Sequence, residues 1–396
     1  MNILMAAPVA KAREGGIAGQ MCNLGEELER KGHSVDYLFQ DDLMTRRVLP
    51  RRFDVLTFSI TLAFRILRAK KKYTVVNIYA PCGLVYGLLR RVLRWKQCPP
   101  YVMAMPGLEE RRIYTMGREA KKGRADYFRL KNRLWQRFYH QATYRWAIRT
   151  ADRSFVANRE CWSILQIKYH QDASRVWYIP NGVEERFFLA RPYRPEPALR
   201  LLFVGQWLDH KGIYYLREAF EIVAERLPGV QLTIAGCLVS ADEVVSFFAP
   251  PVRPQIKVIP LVKRAEMPAL YLDHDIFVFP SLMEGMPLVL LEAMATGMPV
   301  VTTETCGMMD IVQDEANGLL VPPGDAAPLV EAILRLANSP ELRQRLGQAA
   351  RESMRHYTWD KIARRVESIF LLAAQKDSRS RNHLSNSSDV LKSKPE

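Results

Sequence analysis

No run of apolar residues in this chain is long enough to cross a bilayer. A spanning helix needs about 18 to 20 consecutive apolar positions, and the best candidate, 53–64, stops at Arg65. The first residues, MNILMAAPVAK, lack the charged start and extended apolar stretch of a secretory signal. Cysteine is sparse: Cys22, Cys82, Cys98, Cys161, Cys237 and Cys306 are scattered, no two of them at metal-binding spacing. These absences predict reduced thiols and a cytoplasmic protein that does not span the membrane. Acidic residues are scarce in one region, because residues 51–149 hold 23 Lys or Arg against 5 Asp or Glu, an excess of 18 that exceeds the whole-chain net charge of +15. Such a field attracts anionic lipid, nucleic acid or phosphorylated substrates. No nucleic-acid motif accompanies the charge, so a nucleic-acid partner is not expected.

What is present is enough apolar material for two cores: 396 residues, 48% of them hydrophobic, exceed the size at which a single core keeps growing. Short apolar runs alternate with helical patterns. "MNILMAAP" reads as a buried strand, and "MCNLGEELERKGHSVDYL" as a helix, with Gly32 past its end, followed by a second strand. A strand–helix–strand unit of this kind makes a parallel sheet. "YTVVNIYA", "PYVMAMP" and "RSFVAN" repeat the strand signal. The pattern begins again beyond "VWYIPNGVEERFF" and the proline-rich 191–200, with strands in 199–206, 230–237, 256–262, 276–281, 298–303 and 318–323. The expected organisation is two doubly wound α/β domains, 1–175 and 176–352, a terminal helix over 353–375 packing back on the first, and a polar, disordered tail, 376–396.

One stretch carries chemistry. In "FPSLMEGMPLVLLEAMATGMPVVTT" (279–303), an apolar strand delivers the chain to a turn, and Pro287 opens a helix that Gly297 stops. Beyond strand carboxyl ends in an open α/β sheet, a helix start aims free N–H groups and a partial positive charge into the ligand crevice. Leu288 and Val289 supply those donors, which suit a nucleotide diphosphate. Glu292, one turn after Leu288, is placed for ribose hydroxyls. Glu284, ahead of the helix, is placed for a sugar or for positive charge developing at an anomeric carbon. The competing reading makes both glutamates solvent-facing acids favoured by the helix dipole.

The Glu284-to-Glu292 spacing, a Glu, seven residues and a Glu, resembles the donor-site signature of retaining family 4 glycosyltransferases. "EGMPLVLLEAMATGMPVV" and "CGMMDIVQDEANGLLVPPGD" agree along their length; "GGIAGQMCNLGEELERKGHSV" and "NGVEERFF" are similar more loosely. The resemblance implies the GT-B architecture, two Rossmann-like domains facing an interdomain cleft. It makes Glu284 and Lys211 catalytic and Glu292 the ribose ligand. It places sugar and phosphate on backbone at Gly285, Met286, Leu288 and Val289, and brings the first loop, at Gly15 and Gly16, to the donor phosphates or the acceptor, where an ordinary tight turn is the alternative. In "FVGQWLDHKGIYYLREAF" (203–220), Gly205 and Gln206 belong to the donor site, and Lys211 is one of two cations that replace a metal in holding the diphosphate. The other, usually Arg, is Gln206 here, which cannot make a charged fork to phosphate; Lys263 or Arg264 either compensates or is merely solvated. Pro106 stands where a histidine usually precedes "GLE", with Glu109 and Glu110 beside it. No metal or other cofactor is implied.

"LVYGLLRRVLRW" (84–95), with Arg90, Arg91 and Arg94, and "RLKNRLWQRFYHQATYRWAIR" (129–149), with Trp135, Phe138, Tyr139, Tyr144 and Trp146, interleave arginine with apolar and aromatic residues. They are either crossover helices with solvated arginines or faces suited to an anionic membrane surface. The whole reading is a transferase using a nucleotide-diphosphate sugar and a glycan or lipid-linked acceptor, peripheral at the inner face of the cell membrane, in polysaccharide or lipopolysaccharide assembly. Its rivals are a nucleotide-sugar hydrolase or epimerase and a non-catalytic scaffold or lectin, the latter suggested by Pro106 and Gln206.

Overall fold

The computed structural model describes residues 1–11, 16–43, 53–69, 71–92, 98–107, 109–124, 139, 141–189 and 199–390, with backbone only at 109 and 376–390. Among them lie two six-stranded sheets. The first contains β1 (Asn2–Ala6), β2 (Ser34–Leu38), β3 (Val75–Tyr79), β4 (Tyr101–Met105), β5 (Arg153–Val156) and β6 (Val176–Tyr178), in the order β2-β1-β3-β4-β5-β6. The second contains β7 (Arg200–Val204), β8 (Gln231–Ala235), β9 (Ile256–Ile259), β10 (Ile276–Phe279), β11 (Val300–Thr303) and β12 (Leu319–Val321), in the order β12-β11-β10-β7-β8-β9. Every pairing is parallel. The central strands β3 and β4 are buried at all five positions, which is why they read as apolar runs broken only by Asn77 in β3: helices cover both faces of a parallel sheet.

Side-chain alternation sorts the first sheet into two cores. Leu4, Ala6, Val76, Ile78, Tyr101 and Met103 meet the helices Asp54–Arg68, Leu84–Val92 and Gln141–Thr150. Ile3, Met5, Val75, Val102 and Ala104 meet the helix Gly16–Arg30 and the long terminal helix Trp359–Val390. The terminal helix returns from the far end of the chain by placing Trp359, Ile362, Ala363, Val366, Ile369, Phe370 and Ala373 on one stripe. Glu367 beside His33 (2.7 Å) and Asp360 beside Lys31 (2.5 Å) fix its register. Its backbone is helical to Val390, past residue 375, where the sequence reading ends the helix. β6 pairs with β5, so residues 176–178, assigned from sequence to the second domain, are the edge of the first sheet. At three residues this strand is too short to carry a periodic signal. Arg90, read from sequence as part of a basic face, is buried: its guanidinium pairs with Asp152 and donates to the Cys98 carbonyl.

The strand carboxyl ends of the two sheets come together. Pro106 and Gly107 after β4, Asn158 after β5 and Asn181 after β6 all touch the loop that follows β10. No helix among the described residues is long and apolar enough to cross a membrane.

Candidate active site at the junction of the two sheets

The site is assembled by two loops of the second sheet locked edge to edge. After β7 the chain makes a single 3-10 turn, Asp209–Lys211, and reaches Gly212 at φ +75°. A β-carbon there would overlap the Pro280 carbonyl oxygen, so only glycine lets the lysine turn lie against the turn after β10. The His210 carbonyl then accepts from Leu282 N (2.8 Å). Gly212→Ala is expected to cost at least about 2 kcal/mol of stability and to weaken nucleotide-induced stabilisation, both read by thermal unfolding; an unchanged melting temperature contradicts this account of the turn.

This registry sets Lys211 Nζ 2.6 Å from Glu284 Oε1, which also accepts from Ser281 Oγ at 2.7 Å. The Lys211 side chain is 17% exposed and that of Glu284 13%, and the ammonium lies 5.5 Å from the Phe279 ring centroid. His210 is held neutral by burial, with Lys211 and Arg112 adding to the effect and Glu284 opposing it.

The helix Leu288–Ala295 follows. Pro287 is its N-cap, and its carbonyl takes the amides of Leu290 and Leu291. Among the described residues, no hydrogen bond takes up the amides of Leu288 and Val289, which leaves them at the helix start as the sequence predicts. The loop before it is held by its carbonyls: Gly285 O accepts from Asn158 Nδ2 (2.9 Å) and Met286 O from Asn181 Nδ2 (2.7 Å). In a trans peptide the following N–H points the opposite way, so anchoring the Gly285 carbonyl turns the Met286 amide away from Asn158. Gly285 is required sterically, since a β-carbon there would overlap the Pro106 carbonyl oxygen. Pro106 therefore sits directly against the loop, at the contact where the two halves meet.

Glu292 is 7% exposed and accepts from Tyr271 Oη at 3.0 Å. Burial pushes its carboxyl up to about 7, against the pull of Arg264 and of the tyrosine hydrogen bond. With Glu284 and Glu292 both withdrawn from water, the reading of them as solvent-facing helix-entry acids fails. Arg264 is not a solvated residue either. It pairs with Glu184, and Asn23, with its amide oxygen turned inward, accepts from Arg264 Nη2 (2.8 Å) and from Trp359 Nε1 (3.1 Å). The neighbouring Lys263 is exposed.

The remaining candidates are placed as follows. Gln206 is exposed and Gly205 half-buried at the end of β7. Gly16 is the first residue of its helix, with open space where a β-carbon would stand; Gly15 lies outside the described residues, as do Arg94, Trp135 and Phe138. Glu110 is occupied by Tyr169 Oη (2.5 Å) and Lys168 (2.6 Å). Arg111 crosses to Thr305 Oγ1 at 2.7 Å, and the buried Glu119 accepts from Tyr215 Oη at 2.7 Å, so the helix Glu109–Lys121 ties the first half to the second. Asn158, Asn181, Ser281 and Tyr271 were not legible as site residues. Asn158 announces itself only as an N-cap, which it also is.

Residues 187–353 match the family model "Glycosyl transferases group 1", and residues 14–187 match "Glycosyltransferase Family 4". The chain belongs to the family 4 glycosyltransferases. Among curated relatives it is 30% identical over 206 residues to a phosphatidyl-myo-inositol mannosyltransferase of Mycobacterium leprae, covering 51% of this chain and 54% of that one. It is 32% identical over 184 residues to the capsular polysaccharide biosynthesis glycosyltransferase CapM of Staphylococcus aureus, covering 43% and 47%. The chain thus spans about half the length of the curated relatives it matches. Its fold is that of sucrose-phosphate synthase from Thermosynechococcus elongatus (TM-score 0.75, 22% identity, 94% of this chain and 100% of that one). It is equally that of Anabaena HepE solved with UDP-glucose (TM-score 0.66, 17% identity, 93% and 98%). The architecture of this family 4 protein is therefore GT-B, with two Rossmann-like domains.

Proposed function

We propose that this glycosyltransferase moves a sugar from a nucleotide-diphosphate donor to a hydroxyl of a glycan or lipid-linked acceptor, with retention at the anomeric carbon and without a metal ion. The observation that carries the reading is the Lys211–Glu284 pair, 2.6 Å apart, at the open start of the Leu288–Ala295 helix, with Glu292 buried one turn on. The diphosphate lies on the Leu288 and Val289 amides, and Lys211 turns from Glu284 to the phosphate, where it balances the charge that grows as the sugar leaves. Glu284, released from the ammonium, faces the sugar, and Glu292 takes the ribose hydroxyls. The bond from the anomeric carbon to the phosphate oxygen breaks, the acceptor oxygen attacks from the same face, and its proton passes to the departing phosphate. Gln206 adds no charge to this site, so Lys211 is the cation the reading depends on there.

HepE, of like fold, was solved with UDP-glucose, and the relatives named above act on a phosphatidyl-inositol and in capsular polysaccharide synthesis by their names. These support a nucleotide-sugar donor and an acceptor in cell-surface polysaccharide assembly, and we extend the reading to lipopolysaccharide assembly and to a place at the inner face of the membrane. Screening UDP-, GDP- and ADP-sugars by thermal shift selects the donor. That donor is then incubated with and without candidate acceptors. The expected result is a donor that stays intact alone and is consumed with acceptor to give a product of unchanged anomeric configuration by NMR. Rapid hydrolysis or epimerisation without acceptor, or an inverted product, contradicts the proposal.

A further inference from the structure

The basic excess of residues 51–149 has a definite place in the fold. The helices Asp54–Arg68, Leu84–Val92 and Gln141–Thr150 lie side by side on one face of the first sheet, the face opposite the terminal helix. Their inner residues, such as Phe58, Leu62, Tyr86 and Ile148, fill the core. Their outer residues are of two kinds. Five are large and apolar: Ile60 (38% exposed), Phe64 (57%), Leu88 (37%), Val92 (76%) and Trp146 (45%). Five are arginines: Arg65, Arg68, Arg91, Arg145 and Arg149. Apart from Ala142, no other residue of these three helices is exposed, and no acid is among the exposed ones. Their single acid, Asp54, is half-buried in the first turn of its helix.

We infer that this three-helix layer is a docking face for an anionic lipid bilayer. The inference gives the membrane association proposed above a specific surface. Ile60, Phe64 and Arg68 recur every four residues along one edge of their helix, so the apolar side chains point outward together and the guanidinium groups flank them. The small polar side chains of the same helix are already satisfied internally: Thr57 donates to the Phe53 carbonyl (3.1 Å), Ser59 to Val55 (2.7 Å) and Thr61 to Thr57 (2.9 Å). Entering the headgroup region therefore strips few unpaired polar groups of water. The opposite face of the domain is different in kind: its helices carry Glu27, Asp360 and Glu367, paired with Arg30, Lys31 and His33. A second copy of this face is a poor occupant, because a self-pairing would set arginines against arginines. For a nucleic acid, the aliphatic Ile60, Leu88 and Val92 have no use.

The test is co-sedimentation of the full chain with vesicles of phosphatidylcholine alone, or of phosphatidylcholine mixed with phosphatidylglycerol, at low and high salt. The expected result is binding to the mixed vesicles, near-absence on the neutral ones, and loss as salt screens the arginines. Phe64→Ala with Trp146→Ala should weaken binding about tenfold or more, and the charge reversal Arg65→Glu with Arg68→Glu and Arg149→Glu should abolish it, at about fivefold or more per charge. All these positions are exposed, so unchanged thermal unfolding serves as the control for folding. A wild-type chain that stays in the supernatant with anionic vesicles overturns the inference. So does equal binding to neutral vesicles, binding that survives both sets of substitutions, a dimer that the same substitutions dissociate, or RNA binding that competes the vesicles off. Nucleotide-induced stabilisation, measured on the same variants, should not move. Lost vesicle binding with intact nucleotide stabilisation bears on this face alone, and the converse bears on the donor site alone.

Discussion

Glu284→Gln is expected to lower kcat by about 10²- to 10³-fold, and Lys211→Ala by at least as much. The two side chains form one unit. Each is largely withdrawn from water, each is the other's counter-ion at 2.6 Å, and Ser281 Oγ orients the carboxylate from the side. Gln keeps the shape of Glu284 and the Ser281 contact, but it removes the charge that would stabilise a cationic sugar in the transition state. Ala at 211 removes the ammonium that the proposed mechanism sets against the leaving diphosphate. Because both act in the same step, the double variant should fall little below the worse single one, and a plot of additive losses would be the wrong expectation. Kinetics on the donor identified by thermal shift, with kcat and KM separated, checks this. Near-normal turnover in both single variants contradicts the site.

The second large effect concerns Glu292 and has opposite signs for stability and for binding. Burial raises its carboxyl to about 7 from an ordinary 4.5, so the folded chain favours the protonated form while the unfolded chain gives up its proton earlier. Between about pH 4.5 and 7 the folded state binds more protons, and stability therefore falls as pH rises through that window. Above it the full penalty applies, about 3 kcal/mol. Glu292→Gln removes the ionisation, so the variant should be about 2 to 3 kcal/mol more stable than the parent at pH 8 and indistinguishable from it below pH 4.5, as read by urea unfolding at each pH. For binding, the proposed site has ribose hydroxyls donating to the ionised carboxylate. Nucleotide capture by the parent should then expel a proton, and affinity should rise several-fold from pH 6 to pH 8. In Glu292→Gln, affinity should fall by about ten- to a hundredfold and lose this pH dependence. Calorimetry in two buffers of different ionisation enthalpy counts the proton. A pH-independent affinity in the parent, or a variant less stable at pH 8, contradicts the role given to Glu292.

Both predictions use residues that the sequence reading singled out, and for a definable reason. A strand, a turn, a proline-started helix and two glutamates all lie within one continuous stretch, so the backbone geometry that assembles them is local. Lys211 is distant in sequence but was reachable through the resemblance. Most strands were legible because central parallel strands such as β3 and β4 are buried, and almost wholly apolar, on both faces. What was hidden depends on long-range packing. Asn158 and Asn181 carried no site signal in the sequence, and only the meeting of the two sheets shows them holding the Gly285 and Met286 carbonyls. Arg90 and Arg91 are neighbours in a basic helix, yet one is buried against Asp152 and the other exposed, a difference set by which side of the helix faces the sheet. Arg264 reads as either a compensating phosphate ligand or a solvated cation until Asn23 and Trp359, from opposite ends of the chain, are found beside it. Pro106 departs from the family pattern, and the structure shows that the residue there presses its carbonyl on Gly285, so backbone shape at this point is as much a part of the contact as any side chain.

The most direct measurement is a crystal structure of the protein with its nucleotide-diphosphate donor. The account predicts phosphate oxygens on the Leu288 and Val289 amides and on Lys211 Nζ, the Lys211–Glu284 pair opened, the ribose on Glu292 and no cation between the phosphates. A donor bound away from this helix start, or a diphosphate held by a metal ion with Lys211 still locked on Glu284, would contradict it.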